Sequence, residues 1–439
     1  MKNRSLLFIA AFAVSGVASA FTVTGVSAHQ RWPWNSLVDV DFTIGGADAN
    51  ALFKIEVKAA YAGGDRIVEA KTFVTEPVAK AGTSRVTWDF GRDCPNFKAD
   101  DLRVAVTATP YDNASASIYM VIDLSGGKDA TSYPVGYTTQ APAHTPKAED
   151  VCKTTQLWLK RIHPTGTWYM GAKAAPAAGN DSFSYTLTHD YYIGIFETTQ
   201  QQWYHLTGSW VGDFSNETWR ATRPIDTFYP NRLFAVGNKG GWKWPDDKTV
   251  LADSALGKFR ARTGLATANL PTEAQWQYAA DGGATGYDRY LKPDGTVYSV
   301  GEIARYSGNA GAAADYRTGL VDADSGTACV GTYAPNAYGL YDMLGNVYED
   351  CLDPYAPVAS LKNCYVTNNI AFPLVNPEGL SQAVAKALNS NTSMITIRGS
   401  AYSTSSTNTK LQNRSSGRLS YASDSHPSYR GFRFCVTCE

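Results

Sequence analysis

The residues best able to do chemistry are few in this 439-residue chain. Seven are cysteines: Cys94, Cys152, Cys329, Cys351, Cys364, Cys435 and Cys438. Six are histidines: His29, His144, His163, His189, His205 and His426. Metal binding needs regular spacing, and no histidine pair has the HxxxH interval that puts two rings on one helix face. No cysteine group has a zinc pattern. Cys435-Val436-Thr437-Cys438 is a CxxC, but no helix N-terminus is evident there to lower a thiol pKa, so it reads as structural. An odd cysteine count leaves at least one thiol unpaired or paired between chains. Neither a GxSxG nucleophile elbow nor a phosphate loop occurs. Asp424, Ser425 and His426 sit together in a serine-rich stretch and read as solvated loop rather than an acid/base set.

Such residues must be positioned by elements, and the elements are mostly strands. Val38 to Ile44, Phe53 to Val57, Ser84 to Phe90 and Arg103 to Ala108 alternate apolar and polar residues, with Gly and Asp/Asn turns between them. That punctuation predicts an antiparallel β-sandwich, immunoglobulin-like, over residues 30–125. Gly126-Gly127, Pro134, Pro142 and Pro146 predict a linker over 126–154. Residues 155–439 mix short strands, few helices and long loops. One helix is expected over Pro271 to Ala280, capped by Thr272 or by the residue before Pro271 and stopped at Gly282-Gly283. A second is expected from Gln200 to Leu206. The fold class is therefore α+β.

The start and the composition bound location and partners. Lys2 and Arg4 precede an apolar stretch from Leu6 to Val17 and the small residues Ala18-Ser19-Ala20, which predicts a signal peptide over 1–20. Val26-Ser27-Ala28 is a second possible cleavage site. A secreted, periplasmic or cell-surface protein follows, and no other segment is apolar enough to span a bilayer. Net charge is −1, which gives no basic field to hold nucleic acid. Aromatics reach 12%, with abundant Gly and Ser, a composition suited to an extracellular β- and loop-rich protein.

Five blocks in order then carry a resemblance. They are Pro164 to Gly171, Asp190 to Gln200, Leu270 to Ala280, Pro335 to Glu349, and Arg398-Gly399-Ser400 with the terminal Gly431-Phe432-Arg433. Over residues 155–436 the chain resembles the formylglycine-generating, or sulfatase-modifying factor, family. The resemblance implies an irregular domain related to C-type lectins. The family includes copper-dependent oxidases that convert a sulfatase cysteine to formylglycine, and relatives that bind ligands without known chemistry.

The resemblance also implies a structural calcium site at Asp342, Gly345, Val347 and Glu349. Two carboxylates and two carbonyls are suitable donors for that ion. At the family's other calcium site this chain has Arg305, which argues against a cation there. The copper-binding cysteines of the active oxidases fall on Thr404 and Thr409. A neutral hydroxyl cannot replace a thiolate at soft Cu(I), so copper is not expected. The stretch 400–430 holds ten Ser, three Thr, two Asn and three Tyr, a composition suited to a contact surface. Tyr402, Thr404, Thr409, Arg418 and Tyr421 are the candidate ligand residues.

Three functions stay open at this stage. One is an exported, non-catalytic binding or structural protein, with an extracellular protein or glycan as ligand. Another is an oxidase-family enzyme with altered chemistry acting on an exported partner. The last is a ligand-binding protein whose C-terminal segment is diversified by a retroelement.

Overall fold

The computed structural model describes residues 21–31, 35–61, 64–97, 102–171, 182–282, 292, 296, 298–311, 325–390, 393–405, 418–422, 425 and 427–438. The predicted signal peptide, Thr409, Asp424 and His426 lie outside them. The chain forms two units, residues 1–121 with 135–141, and residues 122–134 with 142–439.

In the first unit two antiparallel sheets share one core. One sheet contains Thr22–Gln30, Leu37–Gly45, Gly82–Asp89, Thr72–Phe73 and Val135–Thr138 in that order. The other is built on Leu52–Tyr61, paired with Arg66–Glu69, Val78–Lys80 and Arg103–Pro110. The period of two does the sorting. Val38, Val40, Phe42 and Ile44 point inward from one sheet, and Phe53, Ile55, Val57 and Ala59 from the other.

Both boundaries of this unit differ from the sequence expectation. Its first strand starts at Thr22, so Val26-Ser27-Ala28 lies inside a strand paired with Leu37–Gly45. The segment expected as a linker carries structure instead. Val135–Thr138 joins the first unit's sheet, and 3-10 turns form at Gly127–Asp129 and Val151–Lys153. Prolines interrupt regular elements there but do not prevent packing. Buried Tyr133 donates its hydroxyl to Gly127 O and accepts from Arg262.

The second unit brings its beginning and end side by side. Gln156–Ile162, Tyr191–Gly194, Cys435–Thr437 and Ala268–Asn269 form successive antiparallel pairs. A smaller sheet runs in the order Arg418–Tyr421, Ile395–Arg398, Tyr348–Pro354 and Arg430–Gly431. The helix Glu273–Asp281 packs against the strands Tyr348–Pro354 and Ile395–Arg398 of the smaller sheet. Thr272 caps it in a reciprocal box with Gln275, so Pro271 lies just outside the helix rather than in its first turn. Gly282, at φ +60°, ends it as expected. The second helix, Gln200–Thr207, is capped the same way by Thr199 and Gln202 and ended by Gly208. No cysteine pair is bridged; all seven are free thiols. No helix among the described residues is long and apolar enough to cross a membrane.

Candidate functional site

The segment from Asp342 to Glu349 is a folded loop feeding the strand Tyr348–Pro354. Asp342, Gly345 and Asn346 all have positive φ. At Gly345 a Cβ would stand 2.2 Å from the carbonyl oxygen of Arg305, so only glycine fits. Its N–H donates to Gly399 O at 2.6 Å, and the Asn346 N–H donates to Arg305 O at 2.9 Å. Glu197, from the block Asp190 to Gln200, braces this loop. It accepts from the Asn346 side chain at 2.6 Å and from the Val347 N–H at 3.1 Å.

Of the four residues expected to hold calcium, Glu349 pairs with a guanidinium. The Arg433 guanidinium, fully buried, donates to both oxygens of Glu349 at 2.6 Å. It also donates to Gly194 O at 2.8 Å and Tyr341 O at 3.0 Å. Trp276 Nε1 adds a third donor to Glu349 at 2.8 Å. Asp342 accepts from the Gly331 N–H at 2.7 Å through one oxygen, while its other oxygen is buried without a hydrogen bond. Calcium would need six to eight oxygens, and among the expected side-chain donors the buried Asp342 Oδ1 is the one without a hydrogen bond. Glu349 Oε2 accepts from both Arg433 and Trp276, whereas its Oε1 accepts from Arg433 alone. Arg305 donates to the carbonyls of Gly326 and Asn309.

The electrostatics agree with an internal cation. Burial disfavours the Arg433 charge, yet Glu349, Glu197 and Asp342 outweigh it and raise its pKa. Burial, then the charges of Asp342 and Glu349, push the Glu197 carboxyl well above the carboxylate range. Asp342 is pushed up to about 6, chiefly by burial. Burial and the neighbouring acids thus raise two of these carboxyls, Glu197 and Asp342, while Arg433 lowers both.

Thr404, at an oxidase cysteine position, is buried and built into the fold. Its Oγ1 accepts the Ala401 N–H at 3.1 Å and lies 3.0 Å from the Tyr348 hydroxyl. Tyr402 is also buried, its ring edge-on to Phe214 at 5.1 Å. Both are buried, at 4% and 6% exposure for Tyr402 and Thr404. Thr404 is held by hydrogen bonds, and Tyr402 packs in a small apolar cluster with Phe214 and Ala310. Tyr421 is half-buried, and its hydroxyl lies 2.7 Å from that of Tyr429. Burial first, then Tyr429, raise its pKa. Arg418 pairs through its backbone with Arg398 at the edge of the small sheet.

Arg430 is the residue that holds this segment, and the sequence reading missed it. It donates to Asp350 at 2.7 Å and to the carbonyls of Ala422 and Ser425. Glu197, Asn346 and Tyr348 were missed as well. Only their presence inside the matching blocks hinted at them.

Residues 153–438 match the family described as sulfatase-modifying factor enzyme 1-like domain. The chain is 30% identical over 183 residues to a chaperone protein LppX of Paenibacillus barcinonensis, 37% of this chain and 61% of that protein. It is 42% identical over 84 residues to a formylglycine-generating enzyme of Thermomonospora curvata, 19% of this chain and 26% of the enzyme. It is 42% identical over 86 residues to a serine/threonine-protein kinase pkn1 of Chlamydia pneumoniae, 20% of this chain and 11% of the kinase. The chain spans less than two thirds of each of these relatives. Among solved structures, variable protein 1 of Treponema denticola is 20% identical, with 67% of this chain and 99% of that one covered and a TM-score of 0.42. PvdO of Pseudomonas aeruginosa is 19% identical, with 67% and 100% covered and a TM-score of 0.42.

Proposed function

The chain belongs to the sulfatase-modifying factor enzyme 1-like domain family, and from that premise we propose that it is an exported protein using this fold to bind a partner rather than to oxidise one. The observation that carries the proposal is Thr404. Where the active oxidases resembled by the sequence place a copper-binding cysteine, the side chain here is a neutral hydroxyl occupied by the Ala401 N–H and the Tyr348 hydroxyl. A group held by two buried structural partners is not poised to ligate Cu(I).

The partner surface in this proposal is the Ser/Tyr-rich stretch around Arg418–Tyr421. That strand lies at the edge of the small sheet, where one side of its backbone is unpaired by a neighbouring strand among the described residues. An edge strand offers backbone donors and acceptors to another chain. Export is supported by the charged, apolar and small-residue pattern of residues 1–20. The partner is then an extracellular protein or glycan. The chaperone description of the Paenibacillus relative favours a protein. The first unit serves as an immunoglobulin-like spacer.

The test is a turnover assay. Purified protein is incubated with Cu(I) and a cysteine-containing sulfatase peptide, with oxygen uptake and peptide mass followed. The expected result is no copper-dependent oxygen uptake and no formylglycine. Turnover dependent on copper would sink the proposal and restore an oxidase-type enzyme.

A further inference from the structure

A cavity of about 510 Å³ lies in the second unit beside its last strand, and none of its lining residues belongs to the Thr404 and Tyr421 region. That volume is within the range of small-molecule sites. One wall is a fixed polar lattice: Gln275 Nε2 donates to Thr437 Oγ1 at 2.9 Å, and Thr267 Oγ1 donates to Thr437 O at 2.6 Å. These groups satisfy one another and leave little to move.

The wall's charge is not balanced. Arg260, on the helix Ala255–Thr263, donates its Nε to Ala268 O at 2.8 Å. Its two terminal nitrogens have no carboxylate partner among the described residues, and burial without a compensating acid lowers its pKa. Glu378, the one acid lining the cavity, is held by Lys248 at 2.6 Å. Asn269, next to the carbonyl that fixes Arg260, uses its Oδ1 to accept the Leu270 N–H at 2.9 Å. That leaves its Nδ2 as a donor on the same wall. Leu187, Leu270 and Leu352 supply apolar surface in the same cavity.

We propose that this cavity binds a small carboxylate-bearing molecule, its carboxylate on the Arg260 guanidinium edge with Asn269 and its body against the leucines. A half-buried cation without an acid is completed by a bound anion. The guanidinium edge presents two parallel N–H groups that match a carboxylate. One unpaired positive charge in the wall suits a monoanion. The site is independent of the binding role proposed above, and either can fail alone.

The experiment uses the full chain, benzoate and glucuronate as probes, and benzamide and glucose as their neutral counterparts, with affinities from calorimetric titration. At least one carboxylate is expected to bind ten-fold or more tightly than its neutral counterpart. Arg260→Gln is expected to abolish that preference. Ala266→Trp, at an exposed position on the cavity rim, is expected to weaken binding of the preferred probe ten-fold with Arg260 intact. The proposal is overturned if neither carboxylate is preferred, if Arg260→Gln keeps the preference while folded by circular dichroism, or if Ala266→Trp binds as the parent does.

Discussion

Replacing Arg433 with methionine tests whether its guanidinium, rather than a metal ion, balances the buried acids around Glu349. The side chain is fully buried and makes four hydrogen bonds, two to Glu349 and one each to Gly194 O and Tyr341 O. Methionine fills similar space but leaves Glu349 with only the Trp276 N–H, beside Glu197 and Asp342. Breaking a buried ion pair by removing one partner costs about 3–5 kcal/mol. At roughly 2 °C per kcal/mol for a domain of this size, the melting temperature should fall by about 6 °C or more. The double variant Arg433→Met with Glu349→Gln should recover part of the loss, because it removes the uncompensated charge. The assay is thermal unfolding followed by circular dichroism, repeated with EDTA and with calcium. The parent protein should melt at the same temperature in both. A fall in EDTA that calcium reverses would refute the reasoning, as would an Arg433→Met variant that melts with the parent.

Other perturbations follow from neighbouring geometry. Asp226 is buried, and burial pushes its carboxyl up to about 7 from an ordinary 3.8. Between those pH values the folded chain binds more protons there than the unfolded chain, so this group's contribution to stability falls as pH rises through the window. Asp226→Asn should flatten the stability–pH slope between pH 5 and 7, measured by urea unfolding; an unchanged slope counts against the assignment. Thr404→Val keeps the shape but strips the acceptor from the buried Ala401 N–H, at a cost of about 1–3 kcal/mol. A Thr404→Val protein as stable as the parent would show that this hydroxyl is not structural. Gly345→Ala should destabilise by more than about 1 kcal/mol, since φ is +82° and the new Cβ meets the Arg305 backbone. Equal unfolding midpoints for Gly345→Ala and the parent would contradict that.

What the sequence showed plainly was whatever is decided within a few residues. Val38 to Ile44 alternates because each side chain meets one face of one sheet, and Thr272 with Gln275 caps a helix across three positions. What it hid depends on partners far along the chain. Val135–Thr138 looked like linker because its strand partner is Thr72–Phe73. Arg260 gave no signal because an uncompensated cation is recognised only by the acids that do not surround it. Glu349 is the clearest case. A carboxylate at that place in the loop looks the same in sequence whether it faces calcium or a guanidinium, and the deciding residue lies 84 positions away. The cation is also a different kind of object in the two cases. A calcium ion is exchangeable and links stability to the ion's concentration, whereas Arg433 is covalently part of the chain, two residues before the last strand, Cys435–Thr437. Folding that strand between its neighbours then delivers the charge, so closure of the C-terminus and ordering of the loop become one event.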